Sequence, residues 1–114
     1  MSLPLPVRQL VDAKLTRFYE RRLPAHVRGQ IRLSHGIRGN SVTMIEARPV
    51  FRNPHEWSEL KVAQFRCDPE TRAWTLYWAD RNGRWHPYYD IEPSTDLDDL
   101  LREVDEDPTG IFWG

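Results

Sequence analysis

A chain of 114 residues with no break in composition reads as one domain, 1–114, long enough to bury roughly two thirds of its unfolded surface without a disulfide or metal staple. A single cysteine, Cys67, excludes an intramolecular bridge and the disulfide-dense scaffolds of small secreted domains, so a reducing, cytoplasmic setting is expected. The net charge of −1 conceals a polarity: residues 1–40 carry eight Lys or Arg against Asp12 and Glu20, whereas residues 90–114 carry nine acids against Arg102.

In chain order, residues 1–5 are expected to be a flexible lead-in. With prolines at 4 and 6 and no long apolar run, the N-terminus is not expected to be a secretory leader, and no stretch has the length of a membrane span. Residues 6–22 place Val7, Leu10, Val11, Leu15 and Phe18 at helical spacing behind Pro6 and are closed by Pro24. The other face of this helix carries Arg8, Lys14, Arg17 and Arg21. From Gly29 the period changes to two, and Gly39-Asn40 supplies a tight reversal between a first strand and a second over Ser41–Arg48, stopped by Pro49. Residues 50–59 read as a longer connection holding Trp57. Three further strands are predicted at 60–67, 73–80 and 84–89, the last two joined through Asn82-Gly83, whose residues tolerate positive φ. Pro93-Ser94-Thr95 introduces a second helix with Leu97, Leu100, Leu101 and Val104 on one stripe and Thr95 with Asp98 as its capping box. Helix, about five antiparallel strands in a meander, helix and an apolar tail make an α+β fold with the helices on one face of the sheet.

Three stretches, "GNSVTMIEARP", "VAQFRCDPETRAWTLYWADRNGRWH" and the ending "DEDPTGIFWG", together resemble a family of small bacterial proteins known as domain of unknown function 3024. The resemblance implies a single compact family domain that ends naturally at "FWG", and it implies no activity.

Function has to be sought in what the strands display. Alternation within each predicted strand groups Glu46 with Arg48, Gln64 with Arg66, and Arg84 with His86 and Tyr88. The opposite parity holds Ile45, Ala47, Ala63, Phe65 and Trp85. Taking the second set as the packed face leaves the first as one exposed polar surface. The leading expectation is a nucleic-acid-binding module, with RNA favoured over DNA. Arg17 and Arg21 of the first helix and Arg48, Arg66, Arg84 and Tyr88 of the sheet would make the contacts, with Tyr77 and Trp78 as further stacking platforms. An alternative is a metal-independent ribonuclease, in which Glu46 is the general base, His86 the general acid, and Arg48 and Arg66 stabilise the pentavalent phosphate. A third reading is a protein-interaction or self-associating domain bearing a contiguous apolar patch. Against all three stands a plain structural account, in which Glu46 pairs with Arg48 or Arg66 and the aromatics fill the core. An arginine excess of fourteen against Lys14 and Lys61 is produced by a GC-rich genome as readily as by phosphate recognition.

No metal or cofactor is expected. His26, His35, His55 and His86 have no ligand-spaced partner and Cys67 stands alone. The acidic run "DLDDLLREVDEDP" lacks the glycine and closing glutamate of a calcium loop, and no phosphate-cradling glycine loop or nucleophile elbow is present. The tail residues Phe112 and Trp113 are expected to clamp the C-terminal helix to its own sheet.

Overall fold

The computed structural model describes residues 2–113. The order is α1 (Leu5–Arg22), a 3₁₀ turn (Ala25–Val27), β1 (Arg32–Arg38), β2 (Ser41–Val50), β3 (Asn53–Cys67), β4 (Trp74–Ala79), β5 (Trp85–Pro87) and α2 (Leu97–Glu106). The five strands form one antiparallel sheet in the order β1-β2-β3-β4-β5, so the expected α+β meander between two helices is the observed architecture.

α1 begins without a side-chain cap, its entry set by Pro4 and Pro6, and ends where the Leu23 N–H reaches the Tyr19 carbonyl ahead of Pro24. Val11, Leu15 and Phe18, spaced four and three apart, are its buried residues, whereas Leu10 is 55% exposed. The lead-in is not loose over the described residues. Leu3 is buried and its N–H bonds the Gly39 carbonyl, and Leu5 is already helical; Met1 lies outside the described residues. In α2 the cap is Asp96 rather than Thr95: the Asp96 carboxylate accepts from the Asp98 N–H. Leu97, Leu100, Leu101 and Val104 are buried, as their spacing dictates.

Two corrections concern β2 and β3. The expected connection at residues 50–59 is mostly strand: β2 and β3 continue as a two-stranded arm to Val50 opposite Asn53, with only Phe51 and Arg52 at the turn. Prolines 49 and 54 are compatible with this because the arm outruns its neighbours. β1 reaches no further than Ala47, and β4 pairs only with Gln64–Cys67, so a missing N–H costs no ladder bond on the free edges. The second feature is a bulge at Val62. Met44 pairs with Ala63 but Ile45 pairs with Lys61, leaving Val62 as an extra residue on β3. Val62 and Ala63 are consequently both buried.

Both helices pack on the same face of the sheet. The core joins Val11, Leu15 and Phe18 of α1 and the four α2 residues to Val42 and Met44 of β2, Ala63 and Phe65 of β3, and Trp74 and Leu76 of β4. The helices run in the same direction, with Lys14 bonded to Asp96 and Asp98 and Arg22 to Asp105. The basic N-terminal and acidic C-terminal segments therefore neutralise each other in part across one seam.

Candidate functional site

Register fixes which side chains share a face. Phe65 lies on the helix side and pairs with Val42 and Leu76; Gln64, one residue earlier, faces the other way and pairs with Thr43 and Tyr77. Extended across the ladder, the helix-free face displays Arg32, Ser34, Gly36 and Arg38 on β1, and Ser41, Thr43, Ile45 and Ala47 on β2. It continues with Trp57, Glu59, Lys61, Gln64 and Arg66 on β3, Thr75 and Tyr77 on β4, and Trp85 and Pro87 on β5. None of these residues is buried.

The expected single polar face is therefore split in two. Glu46, Arg48, His86 and Tyr88 are on the helix side, together with Trp78, while Gln64 and Arg66 are on the open side with Ile45, Ala47 and Trp85. Alternation gives the phase within a strand but not between strands, which only the pairing sets. Tyr88 is a core residue, 5% exposed, its hydroxyl donating to Glu103 at 2.7 Å, so it offers no surface for a base. The ribonuclease constellation is divided as well. The Glu46 side chain is 12% exposed and accepts from Arg48 Nε at 2.9 Å, while His86 stacks on Trp78 and bonds Asp80 through Nε2 at 2.7 Å. Arg66 lies on the opposite face from both. Arg84 is exposed beside the β4–β5 turn, and its N–H bonds the Asp80 carboxylate. Arg17 and Arg21 line the cleft between the helices, where Asp98 and Asp105 form the facing wall.

The open face has three further properties. It bears four cations, Arg32, Arg38, Lys61 and Arg66, against the single acid Glu59, and none of the four forms an ion pair among the described residues. Three of them are laid over aromatic rings: Arg32 over Trp57 at 3.7 Å, Arg66 over Tyr77 at 3.8 Å, and Lys61 near Trp85 at 5.6 Å. A hydrogen-bonded line crosses the centre: Gln64 Nε2 donates to Thr43 Oγ1 at 2.9 Å, and Arg66 Nε donates to Gln64 Oε1 at 2.7 Å. A flat surface of guanidinium and aromatic planes with unpaired positive charge can stack planar groups and attract anions. Arg66 is among the candidate contacts read from the sequence. Arg32, Trp57, Lys61 and Trp85 were not grouped with it, because the arm holding Trp57 reads as a connection and Trp85 as core.

The helix side holds one more polar cluster. Tyr19 Oη lies 2.8 Å from His35 Nδ1, and His35 Nε2 lies 2.7 Å from Asp12 Oδ1, which pins α1 to β1. Asp12 can only accept, so the imidazole donates through Nε2 and, when neutral, accepts the Tyr19 hydroxyl. Burial pushes the Tyr19 phenol far above its ordinary range, which marks it as a fixed donor in the packing rather than a reactive phenolate. Among the described residues, no group of three or more His, Cys, Asp or Glu side chains is placed to hold a metal ion, and no helix is long and apolar enough to cross a membrane.

A family model described as Domain of unknown function (DUF3024) matches residues 3–114. No curated protein and no solved structure matches the chain.

Proposed function

The chain belongs to the DUF3024 family, and from its helix-free sheet face we propose that it is a small cytoplasmic module that binds single-stranded nucleic acid, RNA by preference. The observation that carries this reading is the pairing of cations with rings on that face: Arg32 with Trp57, Lys61 with Trp85 and Arg66 with Tyr77. Single-stranded ligands are held by such surfaces because bases stack on aromatic and guanidinium planes while unpaired cations neutralise phosphates. From Trp57 to Arg66 the face extends on the order of 25–30 Å along β3, room for several nucleotides. A duplex keeps its bases stacked inward and gains only the phosphate contacts. Arg17 and Arg21 act as an outlying electrostatic contribution, since the acids of α2 face them.

The test is a fluorescence-anisotropy titration of a labelled uridine dodecamer and a duplex of equal length over a series of salt concentrations. The expected result is tighter binding of the single strand, with log K falling against log salt at a slope of about −2 to −3, as three or four phosphate contacts require. Trp57→Ala and Arg66→Glu should each weaken it about tenfold, in line with the loss of one stacked base or one charge. Absence of salt-sensitive binding at low ionic strength overturns the proposal.

A further inference from the structure

Among the open-face cations, Arg66 is held differently from the rest. Arg32 rests on the Trp57 ring with no hydrogen-bond partner among the described residues, and the Lys61 ammonium donates to the Gly83 carbonyl at 3.1 Å but has no plane to orient, whereas the Arg66 guanidinium is fixed twice. Its Cζ lies 3.8 Å from the Tyr77 ring centroid, and its Nε donates to Gln64 Oε1 at 2.7 Å. The identity of the Gln64 atoms follows from chemistry. An arginine nitrogen only donates, so the amide oxygen has to face Arg66, and the amide nitrogen then points at Thr43 Oγ1, which accepts at 2.9 Å. Three residues on neighbouring strands, Thr43, Gln64 and the Tyr77 ring, thus orient one guanidinium. Among the described residues no acid pairs with it and its two Nη atoms donate to nothing.

With Nε occupied, one two-donor edge remains, Nη1 with Nη2, on a guanidinium centred over the Tyr77 ring. A partner for that edge must present two adjacent acceptors in the same plane. The O6 and N7 atoms of guanine do so, and a base bonded there extends the stacked layer over the open face. Adenine places a donor beside N7 and opposes the fork. A phosphate also offers two acceptors, but it needs no fixed plane. Arg38 is available for it, on the row Arg38–Ser41–Arg66 and on the order of 10 Å from Arg66 across two strand spacings. We propose that Arg66 is a guanine-reading fork, with Gln64 its positioning residue, so that the single strand is bound with a guanine preference at one nucleotide. This rests on the proposed single-strand binding and adds the base chosen.

The experiment compares uridine dodecamers carrying one central guanine, 7-deazaguanine, cytosine or adenine with the all-uridine strand, on wild type, Gln64→Leu and Arg66→Lys. Thermal melts of each variant establish that it is folded. Wild type should bind the guanine strand about tenfold tighter than the uridine, cytosine or adenine strands, as expected for one bidentate base contact, and 7-deazaguanine should lose that gain because N7 is gone. Arg66→Lys keeps the charge but not the fork, and Gln64→Leu keeps the guanidinium but frees its rotation. Both should lose the guanine preference; Gln64→Leu should bind the all-uridine strand nearly as wild type does, whereas Arg66→Lys, which also gives up the guanidinium plane over Tyr77, should bind every strand a few-fold more weakly. Equal binding of all strands by wild type overturns the guanine assignment, more specifically so if Arg66→Glu lowers the salt slope by about one contact, which makes the fork a phosphate site. A guanine preference that survives in Gln64→Leu overturns the positioning role. If no strand binds wild type, it is the underlying single-strand reading that fails.

Discussion

The Trp113 indole N–H donates to the Val104 carbonyl at 2.7 Å, which fastens the chain's end to the last turn of α2. The turn that allows it is built at Asp107, left-handed at φ 43°, and at Gly110, φ 70°. The Asp107 carboxylate accepts from the N–H groups of Phe112 and Trp113 at 3.1 and 2.9 Å. Phe112 is then buried against Tyr88, and the Arg22 guanidinium lies 3.8 Å from the Trp113 ring. Removal of residues 111–114 should therefore lower the stability of the isolated protein by about 3–5 kcal/mol, the range for losing a buried aromatic. Asp107→Ala should cost about 1–2 kcal/mol by orphaning the two N–H groups. Urea denaturation checks both. An unchanged midpoint with loss of self-association would instead make the tail a hook for a second molecule.

How far the sequence could be read follows from where each signal is local. The α2 stripe at 97, 100, 101 and 104 specified its helix and buried face. The β2–β3 arm was hidden because Pro49 and Pro54 are strand breakers only where a ladder bond is needed, and on these edges none is. The polar face was misassembled for a different reason. Above Val62, even residues of β2 oppose odd residues of β3, as in Val42 with Phe65; below it, even opposes even, as in Glu46 with Leu60. That change of phase comes from one bulge and brings Trp57 and Lys61 onto the face of Gln64 and Arg66, whereas Glu46 and Arg48 are parted from Gln64 and Arg66 by the pairing of Thr43 with Gln64 and Ser41 with Arg66; neither leaves a mark in the alternation of a single strand.

Tyr88 should make stability sensitive to alkali. Burial first, and then its hydrogen bond to Glu103, push the phenol up to about 12. An unfolded tyrosine ionises near 10, so the folded state retains a proton that the unfolded state has released. The resulting stabilisation is complete below about pH 10 and is lost as pH rises through about 12. Tyr88→Phe should be less stable than wild type by about 1.5–3 kcal/mol at neutral pH, the value of a hydrogen bond to a charged acceptor. The two should converge in thermal melts taken from neutral pH towards pH 12. A gap that is constant over this range would refute the linkage.

Asp80 works at the other end of the scale. Its bond from His86, followed by backbone N–H groups of Arg84 and Asn82, lowers the carboxyl to about 2. Here the folded value lies below the unfolded one, near 4, so the contribution is present above about pH 4 and fades as pH falls towards 2. Asp96, bonded by the Asp98 N–H and Lys14, is shifted in the same direction. Asp80→Asn keeps an acceptor for the turn but has no charge to lose. It should melt below wild type at pH 5 to 7 and approach it near pH 2, as differential scanning fluorimetry across that range would reveal.

Charge reversal on the two basic surfaces should separate them. Lys14 and Arg22 are already paired with α2 acids, and Arg17 and Arg21 share their cleft with Asp98, Arg102 and Asp105. An approaching phosphate there meets both signs at short range, and at physiological salt the net field decays within about 8 Å. Among the described residues the open face carries four cations without an ion pair and one acid, so its field is of one sign and coincides with its stacking planes. Reversal of Arg17 and Arg21 together to Glu should change single-strand affinity by no more than about twofold to threefold and leave the salt slope nearly intact. Reversal of Arg32 and Arg66 to Glu should reduce affinity about a hundredfold at low ionic strength and shrink the slope by about two contacts. Both double variants lie at exposed or partly exposed positions, so matched melting curves are expected and would tie any difference to binding. A larger loss from the helix pair than from the sheet pair would move the binding surface to α1.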